Sequence, residues 1–396
     1  MYISPIFLFS LPWIFGILTA YVLGANSNDL FKISNISILA LSYLIFIFLF
    51  FLILFKSYSL QSKNLDKFLI EKINFFALKN LLILIFLSHI FYFICATIFL
   101  GGFPLYWVII GDGRTYVDFV IPSVSGFFNM IRSFGLVACL LILMFGESAH
   151  KKYVFIIGSY FLISSFLLET SRGNGLVMIL HPIGMYLLLR KIHLKQLIFS
   201  FLMFFLFILL FSLIQVLRYS DFDLEVLTNN AAFVGLENTN IFFLFLIPFF
   251  LYLSTPIMNM DLNLLNAPDF SIGLNYSLTN ILPSAIKNLL ALNPDEKYGL
   301  LASEAFNTTS FLTPFILDFG AIGGILIASL FLILTAWIYT KAKEGHIFCI
   351  LIWPPFFMSL VLSSFNLFFL SLVVVIYPLF TLILANHLFK APLRKS

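Results

Sequence analysis

Long apolar runs recur along almost the whole chain of 396 residues, and they limit its fold more than any other feature. Each run approaches or exceeds the roughly 20 residues that a helix needs to cross the hydrocarbon core of a bilayer. Hydrophobic residues make up 61% of the chain and charged residues only 10%, against about 25% charged in an average soluble domain. The sequence therefore predicts an all-α polytopic membrane protein and excludes a soluble globular domain.

The apolar runs of helical length predict where the chain crosses the membrane. The predicted spans are roughly 2–24, 34–55, 80–100, 122–146, 153–169, 175–189, 196–217, 313–340, 346–364 and 367–388. The first run is too long for a signal-peptide core, lacks a basic region before it and shows no convincing cleavage site. We therefore keep it as the first span.

A further apolar run, 241–257, is a candidate for an eleventh span, so we predict about ten or eleven transmembrane helices. It contains Pro248 and Pro256, which favours a re-entrant or interfacial segment; the alternative is that it crosses and that a weak partner near 279–292 returns. The long loop is predicted to carry short amphipathic helices, and apolar residues at helical spacing in 279–292 indicate one that lies on the membrane surface or caps a cavity. The predicted parts are an N-terminal bundle over 1–217, a long periplasmic loop over 218–312 and C-terminal transmembrane helices over 313–396.

The sorting of charge predicts the orientation. Thirteen of the sixteen lysines fall on one side of the predicted spans, whereas fourteen of the eighteen acids fall on the other side or at helix ends there. The positive-inside rule makes the lysine side the cytoplasm. Both termini are then cytoplasmic, and the long loop is external.

Arginine does not follow lysine. Four of the six arginines lie outside or within spans: Arg114, Arg132, Arg172 and Arg218. A guanidinium stays charged in a low dielectric and binds phosphate through two parallel hydrogen bonds, so this set predicts a lipid-linked phosphate or diphosphate as ligand. The alternative is local pairing: Arg114 with Asp112 or Asp118, Arg172 with Glu169, and Arg218 with Asp221.

A short turn and three acids are the remaining candidates for chemistry. The turn is Ser171-Arg172-Gly173-Asn174-Gly175, whose glycines allow close backbone approach and whose following helix start favours an anion; the alternative is a plain tight turn. Glu169, Asp318 and Glu304 are candidate bases by location. Asp318 has equally the pattern of a structural acid near a helix start. His181 is more typical of a hydrogen-bonded packing residue than of a base.

Several classes of chemistry leave no pattern in the chain. There is no metal-binding motif and no Walker A sequence, so neither a metal nor another cofactor is expected. The three cysteines lie in apolar runs without paired spacing, and nothing resembles a nucleic-acid-binding patch.

Three pieces of the chain together resemble the O-antigen polymerase family, the Wzy-type oligosaccharide repeat-unit polymerases. They are the turn 171–175, the stretch 250–257 (FLYLSTPI) inside the long external segment, and the run 307–324 that contains Asp-Phe-Gly. The arginine followed eleven positions later by glycine that describes some members is absent, because Arg114, Arg172 and Arg218 lead to Ser125, Ile183 and Asn229.

The resemblance implies a GT-C-like, metal-independent glycosyltransferase of the bacterial inner membrane. Its donor and acceptor are undecaprenyl-diphosphate-linked oligosaccharides, and a chain-length regulator is a possible protein partner besides membrane lipids. The growing glycan passes from its carrier to a new lipid-linked repeat unit at the periplasmic face. Arginines would then stabilise the departing diphosphate in place of a metal.

Two other functions fit the same sequence. An O-antigen ligase uses the same donor but transfers the glycan to lipid A-core. A transporter or flippase of lipid-linked oligosaccharide is typically built from internal repeats with charges at mid-membrane, and we find no clear internal repeat here.

Overall fold

A computed structural model describes residues 4–24, 33–57, 65–121, 124–190, 227–229, 232, 240–282, 284–290, 299–302 and 308–389. Within these ranges the chain is helical and contains no strand. The helices are α1 (Pro5–Gly24), α2 (Asn35–Ser57), α3 (Leu65–Lys72), α4 (Phe75–Leu100), α5 (Pro104–Ile110), α6 (Val124–Phe145), α7 (Lys151–Ile163), α8 (Arg172–Leu189), α9 (Ile241–Asn266), α10 (Asn275–Ile281), α11 (Ser284–Leu289), α12 (Thr313–Lys343), α13 (Ile347–Val361) and α14 (Leu372–Leu388).

The predicted all-α polytopic membrane fold is confirmed at this level. Seven described helical stretches are long and apolar enough to cross a membrane. They are Pro5–Leu23, Asn35–Phe55, Phe75–Ile110, Val124–Phe145, Ser148–Leu168, Phe243–Asn266 and Thr313–Lys343. The shorter apolar helices Gly173–Leu189, Ile347–Val361 and Val373–Leu384 match predicted spans in position. Predicted span 196–217 lies outside the described residues.

The region 241–257 is part of one continuous helix, α9, of 26 residues. Its length of about 39 Å at 1.5 Å per residue is that of a span and exceeds what a re-entrant segment needs. α9 packs closely on α1, because a Cβ added to Gly16 would lie 2.7 Å from the Leu253 carbonyl oxygen. Further along α9, the Asp261 carboxylate accepts a hydrogen bond from Ser34 N–H at 3.1 Å, just before α2 begins. α9 therefore runs parallel to α1, and its C-terminal end lies where α1 ends and α2 begins.

The chain forms short helices in this part of the long loop, as predicted, but the helix predicted over 279–292 is interrupted. The described residues form two short helices, α10 and α11, with Leu282 between them in extended conformation (φ −76°, ψ 137°). Pro283 follows Leu282 in the sequence, and a residue before proline is pushed out of the α region. The spacing of apolar residues predicts one continuous helix here, but Pro283 disfavours a helical conformation at Leu282.

α12 is a hairpin rather than the straight span predicted over 313–340. Gly320 has φ 80° and ψ 177°, a conformation that side chains rarely adopt, and the chain reverses there. A Cβ added to Gly324 would lie 2.7 Å from Ile316 N, and the Phe315 and Phe331 rings stack with centroids 5.4 Å apart. In a straight helix those two phenylalanines would be about 24 Å apart. Residues 313–319 thus fold back on 321–343.

The predicted lysine-rich side corresponds to one end of the bundle. Lys343 Nζ at the end of α12 donates to the Leu188 carbonyl at the end of α8, at 2.5 Å. Asn74 N–H at the start of α4 donates to the Leu388 carbonyl at the end of α14, at 2.8 Å. We call this the lysine end, and the end that carries Gly320 the hairpin end.

Candidate functional site

The centre of the candidate site is a buried ion pair between α6 and the turn after α7. Arg132 is 0% exposed, and its Nη1 and Nη2 lie 2.6 Å and 3.1 Å from the two carboxylate oxygens of Glu169. An ionised side chain at membrane depth is costly unless it is paired, and each of these two charges compensates the other. Arg132 lies about 12 Å along α6 from its start.

Two further side chains complete the hold on Arg132. Its Nη1 donates to Ser164 Oγ at 3.0 Å, and its Nη2 donates to Asn129 Oδ1 at 2.6 Å. Only Nε–H is left without a hydrogen-bond partner within the described residues. Arg132, predicted as a diphosphate ligand, is thus placed as the partner and orienter of Glu169, with one N–H left over.

The backbone between α7 and α8 is irregular where Glu169 lies. A π-helical turn, Ser164–Leu168, ends α7, and π turns inside helical segments are frequent at functional sites. Thr170 then has φ 47°, the positive value that glycine or asparagine normally takes. Such strain persists only where surrounding contacts hold it, which is the case around functional side chains. Neither the π turn nor the positive φ of Thr170 was predicted from the sequence.

The predicted turn 171–175 is instead the first turn of α8: Ser171 precedes the helix, and residues 172–175, which were predicted to lie before it, are helical. Ser171 caps the helix by accepting a hydrogen bond from Asn174 N–H at 3.3 Å, and Asn174 Nδ2 lies 3.5 Å from Glu169 Oε2. A Cβ at Gly173 would meet nothing within 4 Å, so the turn is open there. The Phe166 ring instead packs directly against Gly175, because a Cβ at Gly175 would lie 2.6 Å from Phe166 Cδ1. Gly173 is thus the glycine with room for a ligand.

Arg172 is the first residue of α8, next to this open glycine. Its side chain, like the whole of Arg218 and Glu304, lies outside the described residues. The predicted diphosphate contacts of Arg172 and Arg218 therefore stay predictions, as does the candidate role of Glu304. The predicted pairing of Arg172 with Glu169 stays a prediction in the same way, and Arg132 is the partner of Glu169 among the described side chains.

A layer of aromatic and hydroxyl side chains lies beside the ion pair. His89 Nδ1 is 3.1 Å from the Tyr160 hydroxyl, and the hydroxyls of Tyr92 and Ser125 are 2.6 Å apart. His89 Nε2 has no hydrogen-bond partner in the described part of the chain. None of these residues was singled out from the sequence, because their polar atoms lie in apolar runs that read as plain spans.

Arg114 lies in the loop above the π turn and is paired locally, as one of the two alternatives predicted. It binds Asp112 through Nε and Nη2, both at 2.7 Å, and its guanidinium stacks on Trp107 at 4.2 Å. The hydrogen bonds from Arg114 lower the pKa of the Asp112 carboxyl. The short helix α5, which contains Trp107, packs against the π turn. By stacking on Trp107, Arg114 helps to hold α5 against the turn that precedes Glu169.

Asp318 has a different environment from Glu169. It lies at the tip of the α12 hairpin, 2% exposed, and accepts hydrogen bonds from Tyr276 N–H at 3.0 Å and Ser277 N–H at 2.7 Å. The Ser277 hydroxyl donates to the same carboxylate. These contacts match the structural alternative for Asp318, which here caps the start of α10 instead of α12.

His181 is buried inside the bundle, with Nδ1 2.6 Å from the Val177 carbonyl oxygen and its ring stacked on Tyr377. This is the packing arrangement favoured from the sequence. Across the described ranges, no three His, Cys, Asp or Glu side chains are grouped as a metal site would require.

The fold and site define a polytopic helical membrane protein with a buried Arg–Glu pair behind a strained turn. Comparison with known protein families, with curated proteins and with solved structures finds no match to the chain.

Proposed function

We propose that the chain is a metal-independent glycosyltransferase that polymerises undecaprenyl-diphosphate-linked O-antigen repeat units at the periplasmic face of the bacterial inner membrane. The observation that supports the proposal most is the Arg132–Glu169 pair placed directly before the open turn at Gly173. The pair puts a carboxylate beside a helix start that favours an anion. Those are the two kinds of group that transfer from a diphosphate donor requires.

The proposed reaction is a single displacement. A hydroxyl oxygen of the acceptor sugar forms a bond to the anomeric carbon of the donor glycan, while the bond from that carbon to the diphosphate oxygen breaks. The hydroxyl proton passes to the Glu169 carboxylate, and the bonding electrons leave with the lipid diphosphate. Arg172 and Arg218 stabilise the charge on the diphosphate, and Arg132 orients Glu169.

A flippase of lipid-linked oligosaccharide is a second candidate, because the bundle interior contains polar groups that the transferase site does not use. The Nε2 of His181 and the hydroxyl of Tyr377 have no hydrogen-bond partner among the described residues, and both side chains are fully buried. Ionisable side chains in the interior of a membrane bundle mark substrate and ion pathways in transporters. The O-antigen ligase has the same site chemistry as the polymerase.

The lipopolysaccharide of a strain lacking this gene separates the polymerase from the ligase and the flippase. A polymerase predicts loss of the O-antigen ladder with one core-plus-one-repeat band remaining, because the repeat is still made, flipped and ligated. Loss of every O-antigen band indicates a ligase or flippase, and an unchanged ladder contradicts the proposal. Complementation with Glu169→Gln should leave the single band, whereas Asp318→Asn, which changes a carboxylate outside this site, should restore the ladder.

A further inference from the structure

The segment 270–274, between α9 and α10, has no helix or strand, and its side chains alternate between exposed and partly buried. Ser271 and Gly273 face the tip of the α12 hairpin: Ser271 Oγ donates to the Asp318 carbonyl at 2.9 Å, and a Cβ at Gly273 would lie 3.3 Å from the same oxygen. Phe270, Ile272 and Leu274 point the other way and are 64%, 100% and 53% exposed. We call these three side chains the apolar edge.

The apolar edge is held in place at both ends. Ala321 N–H and Ile322 N–H donate to the carbonyls of Pro268 and Asp269, at 2.8 Å and 3.0 Å. On the other side of the edge, the Asp318 carboxylate caps the start of α10. Hydrogen bonds on both sides thus hold the backbone of the apolar edge in place.

The edge continues a face of α12 that is exposed and apolar. A Cβ at Gly323 would lie 3.7 Å from Phe270 Cδ1. On this part of α12 the residues Ile322, Leu326 and Leu330 are 44%, 49% and 60% exposed. These residues recur at intervals of one helical turn in a candidate span, which is the pattern of a lipid-facing stripe. The edge therefore extends a surface that already faces acyl chains.

The length of α12 sets the depth of the edge. Residues 321–343 form about 34 Å of helix, against about 30 Å for the hydrocarbon core, so the helix begins at the boundary between acyl chains and headgroups. The apolar edge lies beside that first turn. Exposed Ile286, Leu289 and Leu290 on and after α11, at 41%, 84% and 54%, follow further along the same segment.

We propose that Phe270, Ile272 and Leu274 insert into the acyl-chain boundary of the leaflet at the hairpin end and anchor the α9–α10 connection to the lipid surface. A fixed apolar edge at this depth removes the cost of ordering a loop when it enters the bilayer. The anchor is independent of the glycosyltransferase proposal, because it follows from the fold whatever reaction the protein performs.

Site-directed spin labelling of the purified full chain in phosphatidylethanolamine and phosphatidylglycerol nanodiscs tests the anchor. The label is placed at Ile272→Cys in a Cys95→Ala background, in which Cys139 and Cys349 are buried. Leu330→Cys is the lipid-facing control, and Asp118→Cys, in the exposed loop before α6, is the aqueous control. Collision rates with oxygen, which partitions into lipid, and with a nickel chelate, which stays in water, are measured at each site.

The proposal predicts an oxygen-to-nickel ratio at Ile272 that is several-fold above the ratio at Asp118 and approaches that at Leu330. A ratio equal to that at Asp118 places the edge in water and overturns the proposal. Low collision rates with both reagents, which indicate cover by protein, also overturn it and point to a second copy or a protein partner on the edge.

Discussion

Replacing the Arg132–Glu169 pair with leucines, singly and together, is the most informative perturbation. Arg132→Leu leaves a buried carboxylate without the counter-charge of Arg132. Glu169→Leu leaves a buried guanidinium whose remaining partners among the described residues, Ser164 and Asn129, are neutral. Breaking a buried pair by removing one partner costs about 3–5 kcal/mol, and a lone charge at the centre of a membrane helix costs about 2.5–3.5 kcal/mol on insertion scales. Both considerations give about 3 kcal/mol or more for each single variant.

The double variant decides between a shared interaction and two independent ones. Independent effects would sum to roughly 6–10 kcal/mol, which few domains survive. Because the cost lies in the uncompensated charge, we expect Arg132→Leu/Glu169→Leu to be more stable than either single variant. The free energy of unfolding is measured by reversible denaturant unfolding in detergent micelles, followed by tryptophan fluorescence.

A control cycle combines Glu169→Leu with Asp318→Asn, two sites that share no hydrogen-bond partner among the described residues. Those two effects should add within about 0.5 kcal/mol. If the Arg132 and Glu169 effects also add, the two side chains do not form the buried pair, and the description of the site is wrong. The stable double variant should still lack polymerising activity, because it has no carboxylate at position 169.

Three further substitutions test other parts of the fold. Asp318→Asn should cost about 1 kcal/mol through the weakened cap of α10 while leaving the O-antigen ladder intact, and loss of the ladder in a stable Asp318→Asn protein would give this acid a direct role. Gly320→Ala should sharply lower the yield of folded protein, because a Cβ would lie 2.6 Å from the Pro268 carbonyl oxygen at a φ of 80°; a normal yield in detergent chromatography would refute the hairpin. Gly175→Ala should displace the Phe166 ring and reduce activity more than Gly173→Ala, and the reverse order of activities would show that Gly173 is the glycine that needs its lack of a side chain.

The positions of the helices were largely predictable, because the bilayer requires long apolar runs and the backbone must satisfy its own hydrogen bonds there. The convergence of α8 and α12 near Lys343 follows the sorting of lysines in the sequence. The start of α8 was predicted three residues too late, at 175 instead of at the residue after Ser171, because the capping serine was assigned to a turn.

The partners of the charged residues were not predictable. Arg132 and Glu169 are 37 positions apart, and their pairing depends on how α6 packs against α7 and α8. The π turn and the strain at Thr170 lie where those helices pack together, and the periodicity of apolar residues does not predict either of them. The reversal at Gly320 was missed because an apolar run on both sides of one glycine reads as a single span.

The central proposal is that this chain itself joins lipid-linked repeat units without a metal. The most direct measurement incubates the purified chain, reconstituted in nanodiscs with excess chelator, with a synthetic undecaprenyl-diphosphate-linked repeat unit, and separates the products by length. The proposal predicts a ladder of longer lipid-linked glycans and one undecaprenyl diphosphate released per bond formed, both absent with Glu169→Gln. A wild-type protein that folds and binds the lipid-linked unit but forms no longer product under any metal condition would contradict the proposal.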